Sequence, residues 1–230
     1  MISFHNIDCI EFMRSKPDNY YDLLWCDSPY GIGEDGSKNH SRGGLALPKK
    51  YKPYLGNDTN PPTPADFIEL FRVSKNQIIW GANHFIENLP KQNSSSWIVW
   101  DKMNGDNDFA DCELAWTSFD CAVRKFVFRW AGMLQQNMKN KQDRIHPNEK
   151  PIDLMRWALR KYATIGQKIY SPYGGGLGDA IACDIEGFDL DICEIDKEYF
   201  DAGVKRFNEH KRQGVLFAPE TVKVEQLKLL

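Results

Sequence analysis

Tyr21-Asp22-Leu23-Leu24-Trp25-Cys26-Asp27-Ser28-Pro29-Tyr30 is the stretch that decides the fold. Five of its first six residues are apolar or aromatic, the pattern of a short strand buried on both faces, as in a parallel sheet. Pro29 has no N–H to give to a ladder, so the chain leaves the sheet there. Asp27 and Tyr30 therefore fall just beyond the carboxyl end of a buried strand, where open α/β sheets place their ligands. A carboxylate acceptor beside a flat ring suits a planar heterocycle that carries an amino group.

Outward from this strand the pattern alternates between strands and helices. Ile2–His5 reads as a strand, and Asn6-Ile7-Asp8-Cys9 as a turn into a helix that runs through Met13. Residues 31–64 are rich in Gly, Pro, Asn and Lys without periodicity, a length at which loops are usually functional. Thr63 followed by Pro64 predicts a capped helix to about Lys75, with Phe67, Leu70 and Phe71 inward. Gln77–Trp80 and Trp97–Trp100 read as strands, as do Cys112–Phe119 and Val123–Trp130, the last two as a hairpin around Asp120. The polar stretch from Met133 to Arg144 reads as mobile. A helix from Pro151 carries Ile152, Met155, Leu159 and Tyr162 at helical spacing. Strand Lys168–Ser171, helix Leu177–Glu186, strand Phe188–Glu194 and helix Lys197–Lys211 follow, a unit of the kind that binds nucleotides.

Within that unit, Gly174, Gly175 and Gly176 let the backbone approach a ligand closely, because no side chains intervene. Glu194 ends the next strand about 20 residues later, where a carboxylate accepts both hydroxyls of an adenosine ribose. A dinucleotide and S-adenosylmethionine both satisfy this arrangement.

Composition narrows the classes. With 230 residues and 42% hydrophobic content the chain can bury one α/β core. No stretch reaches the ~20 apolar residues of a membrane span, and the first residues form no secretory leader, so a cytoplasmic location is expected. Six cysteines at irregular spacing, four of them (Cys9, Cys26, Cys183 and Cys193) in apolar contexts, read as reduced thiols. The five histidines show no metal-ligand spacing, and no metal is expected.

Net charge is −3, but it is unevenly spread. Lys38 to Lys52 holds five basic residues and no acid, and Arg124 to Lys150 holds seven against two acids. The two segments carry a surplus of ten, which leaves −13 for the rest. Such polarisation suits a protein that meets a polyanion with one side. Lys49, Lys50, Lys52, Lys139, Lys141 and Arg144 are the candidate contacts to nucleic acid.

Four segments together carry a family resemblance. Asp27-Ser28-Pro29-Tyr30 resembles the Asp-Pro-Pro-Tyr catalytic motif of amino-group DNA methyltransferases. His146-Pro147-Asn148-Glu149-Lys150-Pro151 is similar to the His-Pro-x-x-Lys-Pro segment that opens the cofactor half of those enzymes. Ser171-Pro172-Tyr173-Gly174-Gly175-Gly176 stands where they carry Asp-Pro-Phe and a glycine-rich loop, and Cys193-Glu194-Ile195-Asp196 with Tyr199 resembles their Glu-Ile-Asp…Tyr stretch. Their order, catalytic motif first, is that of the beta group.

The resemblance implies a doubly wound, Rossmann-like methyltransferase sheet in a single domain with inserted loops. Residues 1–130 would form the catalytic half with loop 31–64, 131–150 a mobile basic segment, 151–217 the cofactor-binding half and 218–230 a tail. It implies S-adenosylmethionine as cofactor and double-stranded DNA as partner, with a homodimer or a restriction endonuclease partner as further expectations. Asp27, Ser28, Pro29 and Tyr30 would be catalytic. Asp8, His146, Lys150, Ser171, Tyr173, Gly174, Gly175, Gly176 and Glu194 would hold the cofactor, with His146 and Lys150 on its carboxylate and Asp8 near its adenine. In the cofactor half three positions depart from the pattern: Ser171 replaces an Asp, Tyr173 a Phe and Leu177 a Gly; in the catalytic motif Ser28 replaces the first Pro. The acid at Asp27 resembles the adenine-specific form, whereas serine at position 28 is commoner among enzymes acting on the 4-amino group of cytosine. An inactive DNA-binding relative and an enzyme acting on RNA or a protein amide are the alternatives. Carbon-5 cytosine methylation normally uses the cysteine of a Pro-Cys pair, and the chain has none.

Overall fold

A computed structural model describes residues 1–33, 58, 60–104, 110–131 and 134–216. Most of loop 31–64, with Lys49, Lys50 and Lys52, and the tail 218–230 lie outside the described residues. The elements in chain order are β1 (Ile2–His5), α1 (Cys9–Arg14), β2 (Tyr21–Cys26), α2 (Pro64–Val73), β3 (Ser74–Trp80), β4 (Trp97–Asp101), β5 (Cys112–Thr117), β6 (Arg124–Val127), β7 (Trp130–Ala131), β8 (Leu134–Gln135), α3 (Ile152–Tyr162), β9 (Lys168–Ser171), α4 (Gly178–Glu186), β10 (Asp189–Cys193) and α5 (Lys197–Leu216).

Eight strands form one sheet in the order β1-β10-β9-β2-β3-β5-β4-β6. β5 alone runs against the others, pairing antiparallel with both β3 and β4. Strand β2 is central, as its apolar run requires, and its alternate residues feed two cores. Leu23 and Trp25 pack with Leu154, Met155 and Ala180 beneath α3 and α4. Leu24 and Cys26 pack on the other face with Met13, Phe67 and Leu70 from α1 and α2. Burying side chains such as Leu24, which is 0% exposed, contributes about 1.5–3 kcal/mol each. The one charge in β2, Asp22, lies at its start, where it pairs with Lys75 at 2.7 Å and accepts from the Lys168 backbone N–H at 2.9 Å.

The helix starts follow their local chemistry. Thr63 and Asp66 form a reciprocal capping box at α2, with Pro64 at its first position. The Asp8 carboxylate caps α1 by accepting from Ile10 and Glu11 at 2.9 and 3.0 Å. Helix α2 stops at Val73, and β3 begins without a turn at Ser74, three residues before the expected strand start.

One expectation needs correction. Cys112–Phe119 and Val123–Trp130 do not form a hairpin. β6 crosses to the far side of β4 and pairs with it in parallel, Ile98 against Arg124 through Asp101 against Val127. Among the described residues of 131–150, β7 pairs with β8, and Gln135 and Gln142 exchange two hydrogen bonds of 2.8 Å.

From β9 the chain goes through α4 to β10 on one side, and from β2 through α2 to β3 on the other, with α4 and α2 on opposite faces. The strand order thus reverses between β9 and β2, which pair in parallel through Leu23–Ile169 and Leu24–Tyr170. In open α/β sheets such a reversal is where a ligand crevice forms, at the carboxyl ends of the two strands.

Candidate active site

Both motif halves reach that crevice. Asp27 follows β2 directly, and Tyr30 turns its hydroxyl back to donate to Asp27 Oδ1 at 3.0 Å. Lys150 Nζ lies 2.5 Å from the same oxygen and donates to the Tyr30 hydroxyl at 2.9 Å. It also lies 3.0 Å from Glu113 Oε2, on β5, and the other oxygen of Glu113 pairs with Lys102, one residue past β4. The Lys150 side chain is only 8% exposed, so its ammonium depends on these carboxylates.

The electrostatics separate the two acids. Burial pushes Asp27 up from the usual carboxylate range, Lys150 pulls it down, and repulsion from Glu113 adds to the rise. Burial also disfavours the charge on Glu113, but Lys150 and Lys102 together outweigh it and hold that acid at about 2. Burial lowers Lys150, yet Asp27 and Glu113 more than compensate and keep it charged. Asp27, which shares its one cation, is the acid easier to protonate.

The Tyr30 ring is fixed in place from several sides. His84 stacks on it with ring centroids 5.4 Å apart and planes 19° from parallel. Its backbone N–H donates to Asp58, which also accepts from Gly31 and Ile32 at 3.3 and 3.1 Å. Gly81 follows β3 with φ of +65°, and any Cβ there would overlap the ring. Ser28 is buried at 3% exposure, and Pro29 is partly buried beside it.

On the β9 side, Glu194 closes on the glycine loop. It accepts from the Gly175 N–H at 2.7 Å and from the Asp196 N–H at 2.7 Å. Burial lifts its carboxyl to about 7 despite those two bonds. Gly174 N–H bonds to Cys193 O at 2.7 Å. Gly176 is bare for a reason inside the protein: a Cβ there would meet Glu149 Oε2 at 2.5 Å. Glu149 accepts from Ile145 and His146 backbone N–H groups at 2.9 and 3.3 Å and pairs with Arg206 at 2.6 Å, so it ties the 145–150 segment to the loop. His146 packs edge-on against Tyr199 at 4.7 Å, and burial lowers its ring to about 4, which keeps it neutral.

The departures have structural explanations. Ser171 donates to Asp179 at 2.8 Å, in the first turn of α4, so a carboxylate stands one hydrogen bond away from where serine replaces an acid. Burial raises Asp179 to about 7, and among the described residues it has no ion-pair partner. Leu177 adopts φ of +55° and turns inward against Gly174 and Gly203, so its bulk fills the core instead of the crevice. Tyr173 packs against the cluster that contains Cys9.

The structure thus brings Asp27, Tyr30 and Lys150 together at one end of the crevice, and His146, Gly175 and Glu194 at the other. Lys150, expected on the cofactor carboxylate, sits against Asp27. Asp8 is exposed and occupied with capping α1. Lys139 and Lys141 are exposed, and Arg144 lies over the Trp130 ring at 5.3 Å. Sequence reasoning missed Glu113, Lys102, Gly81, His84 and Asp179. Only Glu113 left a signal, an acid inside an otherwise apolar strand. The described residues hold no cluster suited to a metal ion and no helix long and apolar enough to cross a membrane, and all six cysteines are free.

A sheet of this order, with one antiparallel strand and its crevice at the β9/β2 reversal, is the Rossmann-like methyltransferase fold. Solved structures share it at low sequence identity. A candidate DNA modification methylase from Thermus thermophilus superimposes with a TM-score of 0.59 at 14% identity, covering 91% of this chain and 95% of that one. M1.HpyAVI in complex with SAM gives 0.55 at 18%, covering 90% and 100%. The cytosine-N4-specific PvuII DNA methyltransferase gives 0.54 at 12%, covering 94% and 92%. No family model matches the chain, and no curated protein does.

Proposed function

We propose that the chain is an S-adenosylmethionine-dependent DNA methyltransferase acting on the exocyclic 6-amino group of adenine. The observation that carries this reading is the placement of Asp27 and Tyr30 past β2 beside the glycine loop past β9 and Glu194 past β10, at the carboxyl ends of neighbouring strands. The structural neighbour M1.HpyAVI binds SAM on the same fold.

The residues present fit that cofactor. Glu194 keeps lone pairs for ribose hydroxyls, and Asp179, joined to Ser171, suits an ammonium group. The cofactor supplies a methyl group on a positively charged sulfur. Asp27 accepts a hydrogen bond from the target amine, whose lone pair is otherwise delocalised into the ring, and so orients the nitrogen for attack. The amine sheds a proton as it is methylated, and Asp27, the more easily protonated acid of the cluster, is the group beside it. Tyr30 and His84 supply an aromatic platform for a base rotated out of the duplex.

The 4-amino group of cytosine is the second reading, favoured by Ser28 and by the PvuII neighbour. It presents the same donors to Asp27. Single-molecule sequencing of DNA from cells that express the chain decides between them. We expect 6-methyladenine in a fixed context; 4-methylcytosine would replace the assignment, and unmodified DNA would overturn it.

Cofactor affinity should rise from pH 6 to 7.5, because Asp179 and Glu194 both ionise near 7. Asp179→Asn should weaken binding by about 1.5–3 kcal/mol at pH 7.5 and remove part of that rise. Calorimetry at the two pH values checks this, and equal affinities would rule out both carboxylates as ligands. The sign for folding is opposite. Both acids have folded pKa values above their unfolded ones, so the ligand-free fold loses their contribution as pH rises from the ordinary carboxylate range through 7.

Duplex binding should weaken with salt at a logarithmic slope of about −0.9 per phosphate contact. Replacing Lys49, Lys50 and Lys52 by Ala should flatten that slope for every duplex sequence alike. Binding indifferent to salt would exclude these segments.

A further inference from the structure

Lys150 stands between two acids in the site. Its ammonium lies within hydrogen-bonding distance of Asp27 Oδ1, Glu113 Oε2 and the Tyr30 hydroxyl at once, at 2.5, 3.0 and 2.9 Å. A target amine that donates to Asp27 must therefore compete with a lysine already donating there. At 8% exposure, Lys150 cannot simply retreat into water, and a buried ammonium without a counter-charge is costly. Glu113 is the acid that remains. It is itself braced from behind by Lys102, so it does not follow Lys150 toward Asp27.

We propose that Glu113, braced by Lys102, is a positioning residue for methyl transfer: it is the second seat that takes Lys150 when the target amine takes Asp27. This rests on the reading of Asp27 as the amine acceptor. The arrangement lets one fixed cation hold Asp27 and yield it to the target amine without leaving the two acids. It also assigns β5, the antiparallel strand, a part in the chemistry, since Glu113 reaches the site only because β5 lies beside β3.

The same geometry makes a pH signature. The charged and titratable groups that face Asp27 are Lys150 from the segment before α3, Glu113 from β5 with Lys102 behind it, Tyr30 from its own loop, Cys26 from β2 and, across the crevice, Asp179 from α4. Removing the Glu113 charge removes a repulsion and leaves Lys150 wholly to Asp27. Both changes make Asp27 harder to protonate.

The test is Glu113→Gln in the full chain. Methylation of duplex DNA should fall at least about 10-fold in kcat with cofactor affinity unchanged, and the acid limb of the pH profile should move to lower pH. Glu113→Asp should recover part of the rate. Because Glu113→Gln strands Lys102, the double variant Lys102→Gln/Glu113→Gln repeats the measurement with the brace removed as well. Carbon-13 NMR titration of the Asp27 carboxyl, with no cofactor or DNA present, should show the same downward shift in both variants. An unmoved Asp27 midpoint, or a variant with the parent's rate and acid limb, overturns the role of Glu113 while leaving the functional reading intact. A parent chain that binds cofactor and methylates no nucleic acid overturns the reading itself, and this role with it.

Discussion

Asp27→Ala should reduce methyl transfer by about 10²-fold or more, the scale on which a preorganised electrostatic partner is lost. The variant should fold. Lys150 keeps Glu113 at 3.0 Å, so the substitution leaves no buried ammonium unpaired, and Tyr30 retains Glu113 at 3.3 Å as acceptor. Cofactor affinity should hardly change, because Glu194 and Asp179 lie past other strands. Single-turnover kinetics with saturating cofactor measure the effect. A folded variant with near-parent turnover would remove Asp27 from the mechanism.

Gly81→Ala should be nearly as damaging, although Gly81 belongs to no motif. The substitution places a methyl group inside the Tyr30 ring and asks alanine to adopt φ of +65°. Overpacking of this kind costs about 1–3 kcal/mol, and left-handed backbone at a non-glycine residue adds about 1 kcal/mol or more. The ring cannot yield without leaving His84, Asp27 and Lys150 together. Turnover should therefore fall at least about 10-fold, with a lower midpoint in urea. Tyr30→Ala in the same background is the control: the steric part of the Gly81→Ala penalty should vanish once the ring is gone. If the penalty is unchanged, the ring is not what Gly81 accommodates.

The fold was legible wherever one periodicity ran unbroken. Strand β2 could be read because five of its six residues are apolar and a proline ends it; α3 could be read from Ile152, Met155 and Leu159. β6 was misplaced because a hairpin is the shortest connection between two strand-like runs, and sequence spacing carries nothing about the crossing of β4 that the structure makes instead. The site was half legible. Asp27, Tyr30 and Glu194 stand at strand ends, where position follows from where an apolar run stops. Glu113 lies within a strand, and its partners Lys102 and Lys150 come from other elements, so only the sheet order brings the three together. Gly81 and Gly176 illustrate the same limit: one is bare for a tyrosine, the other for a glutamate, and neither neighbour is near it in sequence. The assignment of Lys150 followed motif order, whereas its position follows from the two acids around it.

The sheet also sets a schedule for the chain's making. Among the described residues, β1, formed by residues 2–5, pairs only with β10, formed by residues 189–193, and β2 lies against β9. During synthesis the first strand must wait, unpaired, until nearly the whole chain has left the ribosome, and the crevice cannot close before then. Contacts this distant in sequence make for slow folding and for a long interval with apolar strands uncovered. They also mean that a chain cut short between Lys150 and α4 carries Asp27, Tyr30, Glu113 and Lys150 but lacks Asp179, Glu194 and the strand that β1 pairs with. Such a copy would lack both carboxylates proposed to hold the cofactor.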